Sequence, residues 1–342
     1  MRYIGGKSLL LDNINQVIDK NTRNVGTVLD IFSGSGVVAS SFKAKGYSVM
    51  TNDTLYFSYV LCRGTVCLNK VPEFTELGIE DPISYLNNLT IQDTGFTPDD
   101  CFVYKNYSPN EGCTRMYFQN FNAIKIDLIR LTIEQWKTEE RINDDEYFFL
   151  LASLIGAVPF VSNIAGVYGA YLKHWDARTY NNLTLNPPEI RDSSKAHYAY
   201  HSDAGRLAQT VKADLVYLDP PYNERQYLPN YHVLETIAKY DYPVLRGVTG
   251  MRDYTEQKSV FCQKTNAGPA MRKLLADLDT SYILLSYNNE GLLSTEELSE
   301  IVGGSGIKST FRLFEYDYRR YKNKIPNNRK GLKEQLYFVR KQ

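Results

Sequence analysis

The run "TVLDIF" (27–32) is apolar apart from one acid, and it gives way at once to the small-residue turn "SGSG" and a helical period that starts near Val37. Continuous apolar runs of this kind suit parallel strands covered on both faces, because neither side of the strand turns to water. An opening helix over roughly Ser8 to Asp19 precedes the run, and a second strand, "YSVMTND" (47–53), and a helix over about 54–70 follow it. This β-α-β-α order predicts a parallel sheet with helices on its faces. The same alternation returns late in the chain. There "LVYLDPP" reads as a strand, "NYHVLETIAKY" as a helix, "SYILLSY" (281–287) as a strand and "STEELSEIV" as a helix, before the strands "TFRLFEYDY" and "EQLYFV". A polar turn containing "IPNNRKG" joins the last two, which predicts an antiparallel hairpin at the sheet edge.

Residues 72–200 have a different texture, rich in Asn, Tyr and Pro, with two helical patterns, "NAIKIDLIRLTIEQWKTEE" and "DDEYFFLLASLIGAV". They read as an inserted, mostly helical region with loops. The expected fold class is therefore α/β, with 1–71 and 201–342 as the two halves of one sheet domain and 72–200 inserted between them.

Composition narrows the class without changing the fold. The apolar share is 43% and the charged share 23%, as in soluble globular chains. No run approaches the roughly 18 apolar residues of a membrane span, and "MRYIGGKSLLLDN" lacks the apolar core of a signal peptide. Five scattered cysteines (Cys62, Cys67, Cys101, Cys113, Cys262) read as reduced thiols, so the expected location is the cytoplasm. His197 and His201 have helical spacing but lack the glutamate of a zinc H-E-x-x-H motif, so no metal site is expected. The formal net charge is zero, which argues against a bulk polyanion binder but not against a local basic groove. The tail "YRRYKNKIPNNRKGLKEQLYFVRKQ" sets nine Lys/Arg against one Glu and interleaves them with aromatics. A solvated tail is the usual meaning of a charge run, whereas a folded hairpin would present Arg319, Arg320 and Lys322 to phosphate.

Two stretches carry chemistry. In "DIFSGSGVVAS", Gly34 and Gly36 flank Ser35 and permit a tight turn with close approach of a ligand to a helix N-terminus. Asp53, ending the second strand, is placed to bind the ribose hydroxyls of a nucleoside cofactor. The turn alone also satisfies the loose dinucleotide fingerprint and does not specify a reaction. The second stretch is "LVYLDPPYNERQY" (215–227), where a buried strand ends in Asp219, Pro220, Pro221 and Tyr222. Prolines donate no hydrogen bond, so this strand end offers only acceptors: a carboxylate and backbone carbonyls. Two acceptors aimed at one exocyclic amine hold both its protons and favour a nitrogen lone pair released from ring conjugation. Tyr222 supplies a flat face for a planar base. An ordinary strand-capping turn also accommodates Asp-Pro-Pro; the nucleoside turn earlier in the chain weighs against that reading.

These motifs together resemble the Dam-like (D12 class) DNA adenine-N6 methyltransferases over nearly the whole chain. "RYIGGK" is similar to the family's leading motif, in which an aromatic and a lysine line the cofactor pocket, matched by Tyr3 and Lys7. "DIFSGSG" resembles the cofactor loop, matching Asp30, Phe32, Ser33, Gly34 and Gly36, and "ND" matches the ribose-binding acid with Asn52 and Asp53. "DPPY" resembles the catalytic motif and "ILLSYNN" a later sheet strand; this order of motifs is that of the alpha group, which places target recognition in the insertion. "NERQYLPNYHVLE" is similar to the continuation in enzymes with asymmetric targets, which brings in Asn223, Arg225 and Asn230 as DNA contacts. Asp203 stands where a cofactor-adenine contact is expected, and Lys173, in "FVSNIAGVYGAYLKHW" (160–175), is a candidate DNA contact from the insertion. The resemblance implies a Rossmann-like sheet and S-adenosyl-L-methionine as cofactor. It also implies double-stranded DNA as partner, a flipped-out adenine, direct in-line methyl transfer, and either a separately encoded restriction endonuclease or an orphan or phage methylase. Methylation of RNA or of a protein glutamine amide uses the same chemistry, although the glutamine enzymes favour Asn in place of Asp219. A nicotinamide dehydrogenase leaves Asp-Pro-Pro-Tyr unexplained, and the intact carboxylate argues against a silent DNA-binding module.

Overall fold

The computed structural model describes residues 6–317 and 331–341. Among the described residues, seven strands form one sheet in the order β3-β2-β1-β4-β5-β7-β6. They are β1 (Thr27–Asp30), β2 (Ser48–Asp53), β3 (Tyr198–His201), β4 (Lys212–Leu218), β5 (Asp279–Asn288), β6 (Arg312–Asp317) and β7 (Lys333–Arg340). β1 pairs in parallel with β2 and β4, and β4 in parallel with β5. β7 runs antiparallel between β5 and β6, so the closing hairpin lies at the sheet edge as its alternation predicts. The helices, in chain order, are α1 (Leu11–Asn21), α2 (Val37–Ala44), α3 (Tyr56–Gly64), α4 (Pro82–Asn88), α5 (Phe102–Tyr107), α6 (Asn120–Thr138), α7 (Asp144–Ala157), α8 (Ala204–Ala208), α9 (Leu228–Lys239), α10 (Ala267–Asp277) and α11 (Thr295–Gly304). None of the described helices is long and apolar enough to cross a membrane.

The chain forms two compact units, and neither is continuous in sequence. One comprises Leu55–Ala199 and Tyr227–Gln257; the other comprises Lys7–Thr54, Tyr200–Gln226 and the chain from Lys258 onward. Helices α3 and α9, which the sequence reading gave to the two sheet halves, therefore pack with the insertion.

In the sheet unit, strand alternation explains the core. Leu29, Val216, Leu218, Ile283, Leu285 and Val339 join Met271, Leu274 and Leu275 of α10 and Leu298, Ile301 and Val302 of α11 in one buried cluster. Their intervening neighbours Val28, Leu215, Tyr217 and Leu284 are buried as well, with Phe42 of α2 set edge-on to Tyr217 at 5.8 Å. Both faces are covered, which is why the strands read as unbroken apolar runs. Asp214 fixes the entry to β1 by accepting from the N–H groups of Gly26 and Thr27, each at 2.8 Å, and from the Thr27 hydroxyl at 2.9 Å.

The helical unit meets its backbone needs with buried acids. Helix α3 has no side-chain cap of its own; instead Glu235 of α9, fully buried, accepts from the N–H groups of Tyr56 and Phe57, each at 3.0 Å. Those two N–H groups have no intrahelical partner, so the carboxylate replaces a cap and meets the positive end of the helix. Asp127 of α6 does the same for α5, accepting from Val103 and Tyr104 at 2.8 Å. Gly64 lets α3 approach α7: a Cβ there would stand 2.2 Å from the Phe148 carbonyl oxygen.

Candidate active site

β1 ends at Asp30, two residues short of the end of the run read as its strand, and the chain turns through Ser33 to Gly36. Hydrogen bonds lock this turn to the end of β2. The Ser33 hydroxyl donates to the Asp30 carbonyl at 2.6 Å and accepts from the Asn52 N–H at 2.9 Å, while the Ser33 N–H donates to the Asn52 carbonyl at 2.9 Å. Gly34 and Gly36 have φ of 52° and 76°, left-handed values that side chains with a Cβ adopt at a cost. Asp53 accepts from the Gly34 N–H at 2.9 Å, so the residue read as a ribose ligand also holds the turn. The Asn52 amide donates to the Ile31 carbonyl at 3.0 Å and accepts from the Ser202 N–H at 3.1 Å. Phe32 stands edge-on to Phe261, with ring centroids 5.3 Å apart. Asp203 is exposed and caps α8 by accepting from the Arg206 N–H at 3.1 Å.

Asp30 is buried, and its Oδ1 has no hydrogen-bond partner. Burial, then the nearby charges of Asp219 and Asp53, hold its carboxyl well above the usual carboxylate range, against donation from the N–H groups of Phe32 and Ala39.

Asp219 follows β4 at the carboxyl end of the sheet, the end where open α/β sheets bind ligands. Its side chain keeps 18% exposure, and its Oδ1 lies 3.2 Å from Nζ of buried Lys7. That ammonium is also 3.0 Å from Oε2 of Glu334, which is buried near the start of β7. Burial pushes the Asp219 carboxyl up to about 6; Lys7 pulls it down and Glu334 pushes it further up. Burial disfavours the charge on Lys7, but the two carboxylates outweigh it and raise the ammonium above its ordinary value. Pro220 is buried and Pro221 half-buried. The Tyr222 ring, 5% exposed, packs edge-on against Tyr287 at 6.1 Å, with Lys7 Nζ 5.8 Å from its centroid. The Tyr222 carbonyl accepts from the Leu292 N–H at 2.9 Å.

The sheet unit thus brings together Lys7, Asp30, Asn52, Asp53 and Asp219 at one end of its strands. Asn223 and Arg225 continue the Asp219 loop, with the Asn223 side chain accepting from the Arg225 N–H at 3.0 Å. Asn230 and Lys173 belong to the helical unit, where the Asn230 carbonyl accepts from the Tyr168 N–H at 2.8 Å and Lys173 is exposed. Tyr3, Arg319, Arg320 and Lys322 lie outside the described residues. Sequence reasoning missed Glu334 and Ser202. The only trace of Glu334 was an acid heading the apolar strand "EQLYFV".

Residues 3–301 match the family described as D12 class N6 adenine-specific DNA methyltransferase. Across its full length the chain is 46% identical to Type II methyltransferase M.FokI of Planomicrobium okeanokoites and 41% identical to Modification methylase StsI of Streptococcus sanguinis, covering 53% and 52% of those proteins. It spans about half the length of these two relatives. Over 96% of the chain it is 36% identical to Type II methyltransferase M.NlaIII of Neisseria lactamica, of which it covers 95%.

Proposed function

The chain belongs to the D12 class of N6 adenine-specific DNA methyltransferases, and from that premise we propose that it methylates adenine N6 within a specific sequence of duplex DNA, using S-adenosyl-L-methionine, as the modification activity of a Type II restriction-modification system. The observation that carries this reading is Asp219, a partly exposed carboxylate at the carboxyl end of a central strand, followed by two residues that offer the amine only carbonyl oxygens. N6 is inaccessible within the helix, so the base must leave the stack to reach this strand end.

The residues around the Gly34–Gly36 turn fit the cofactor. Buried Asp30 Oδ1 lacks a partner that a cationic ligand would supply, and the two left-handed glycines let a ligand approach the start of α2. Asp53 and Asn52 would hold the nucleoside part and Lys7 would line the pocket. When bound, S-adenosyl-L-methionine supplies a methyl group whose bond to sulfur breaks, with its electrons kept by sulfur, as N6 bonds to the methyl. Asp219 accepts a hydrogen bond from one N–H of N6 and a proline carbonyl accepts one from the other, which leaves the nitrogen lone pair aimed out of the ring plane. Asp219 is also placed to take the proton that the methylated nitrogen releases. Orientation and exclusion of water supply most of the rate. The helical unit, which holds the insertion with Asn230 and Lys173, would read the target sequence. Incubation with labelled S-adenosyl-L-methionine and unmethylated DNA, followed by nucleoside analysis, tests the proposal. Label in N6-methyladenine is expected, and label confined to cytosine, RNA or protein would refute it.

A further inference from the structure

Lys7 Nζ bridges two carboxylates, Asp219 Oδ1 at 3.2 Å and Glu334 Oε2 at 3.0 Å. A single acid would satisfy a structural ammonium, and burying a second one beside it adds a desolvation cost. Glu334 is nonetheless 1% exposed and lies opposite Asn288 of β5, whose side-chain amide is 3.4 Å from its Oε1. We propose that Glu334 is a positioning residue for methyl transfer: it retains the Lys7 ammonium when Asp219 exchanges Lys7 for the incoming adenine amine. This inference rests on Asp219 being the acceptor for N6.

At rest Lys7 holds Asp219 Oδ1, one of the two carboxylate oxygens that could accept from the amine. Surrendering that contact would strand a buried charge, the costly way to break a buried pair. Glu334 avoids this by keeping one contact to the ammonium throughout the exchange. It also corrects the sign of the site. The nitrogen gains positive charge as it is methylated, and an uncompensated Lys7 beside Asp219 would oppose that charge. With Glu334 present, the three ionised groups sum to one negative charge, which favours it. Among the described residues, the titratable groups near Asp219 are Lys7, Glu334 of β7, Asp30 of β1 and the Tyr217 hydroxyl of β4, and Tyr222 lies against Lys7.

The neutral isostere Glu334→Gln and the charge-retaining Glu334→Asp separate this role from simple packing. Glu334→Gln is expected to lower single-turnover methyl transfer at least tenfold while cofactor affinity stays within twofold, and to move the acid limb of the rate to lower pH. Glu334→Asp should recover most of the rate. In the cofactor-free protein, the carbon-13 carboxyl signal of Asp219, assigned with Asp219→Asn, should titrate at lower pH in Glu334→Gln than in wild type. Wild-type rate in Glu334→Gln would overturn the inference. So would equal losses in both variants with the Asp219 titration unmoved, because the carboxylate would then only fill space. A wild-type chain that transfers no methyl group to adenine would instead overturn the reading of the site, while the titration still decides the charge sharing.

Discussion

Asp219 is held between burial, which pushes its carboxyl up to about 6, and Lys7, which pulls it down. Only the ionised form accepts from the amine without also donating, so methyl transfer should fall as pH drops through about 6, measurable as the acid limb of a single-turnover pH profile. Folding responds in the opposite direction. A carboxyl raised in the folded state contributes stability that is present below its unfolded value and lost as pH rises through about 6. Asp53→Ala should weaken cofactor binding by about 1.5–3 kcal/mol, the scale of charge-assisted hydrogen bonds, as read by calorimetry. Because Asp53 also holds the Gly34 N–H, a folded mutant with unchanged affinity would remove it from the cofactor site. Tyr222→Phe should retain much of the activity and Tyr222→Ala should lose about 1–3 kcal/mol of base interaction. Its burial against Tyr287 adds a packing loss to the alanine variant, so unfolding must be followed alongside activity. The motif residues were legible because each stands in a short local pattern. Glu334 was not, because its partner Lys7 lies 327 residues away and only the fold joins them.

At the scale of elements, the period of the apolar positions located the strands and helices of the sheet, and the departures have physical causes. β3 is a four-residue strand at the sheet edge, with no fully buried position to give it an apolar signature. The first turn of α10 contains Gly268 and Pro269, which read as loop residues, although Met271, Leu274 and Leu275 have the spacing of a buried helical face. α9 was legible as a helix but not as a member of the helical unit. What ties it there is Glu235, which accepts from the N-terminus of α3 in addition to lying 3.4 Å from Lys239 on its own helix. Glu235→Gln should therefore cost about 1–3 kcal/mol, the penalty of leaving a buried group imperfectly bonded. Denaturant titration checks this, and unchanged stability would mean that α3 finds another cap. Gly64→Leu should destabilise by a further mechanism, overpacking of α3 against α7, on the order of 1–3 kcal/mol.

At the scale of the whole chain, a net charge of zero means that, on the proposed reading, DNA is held by local cations rather than by the summed field of the chain. Neutralising Arg319, Arg320 and Lys322 together should weaken binding to all sequences alike. If each contacts a phosphate, the log–log salt slope should fall by about 2.7. A wild-type slope in the triple mutant would show that these cations face solvent. The central claim, that the end of β4 captures a flipped adenine and that Asp219 orients its amine, meets its most direct test in one paired measurement. A duplex that the protein methylates is prepared with adenine at the target position or with 2-aminopurine there, and each is mixed with wild type and Asp219→Ala. The account predicts that 2-aminopurine brightens with both proteins, because the base still leaves the stack, while N6-methyladenine forms only with wild type. Methyl transfer by Asp219→Ala at a rate near that of wild type would contradict it.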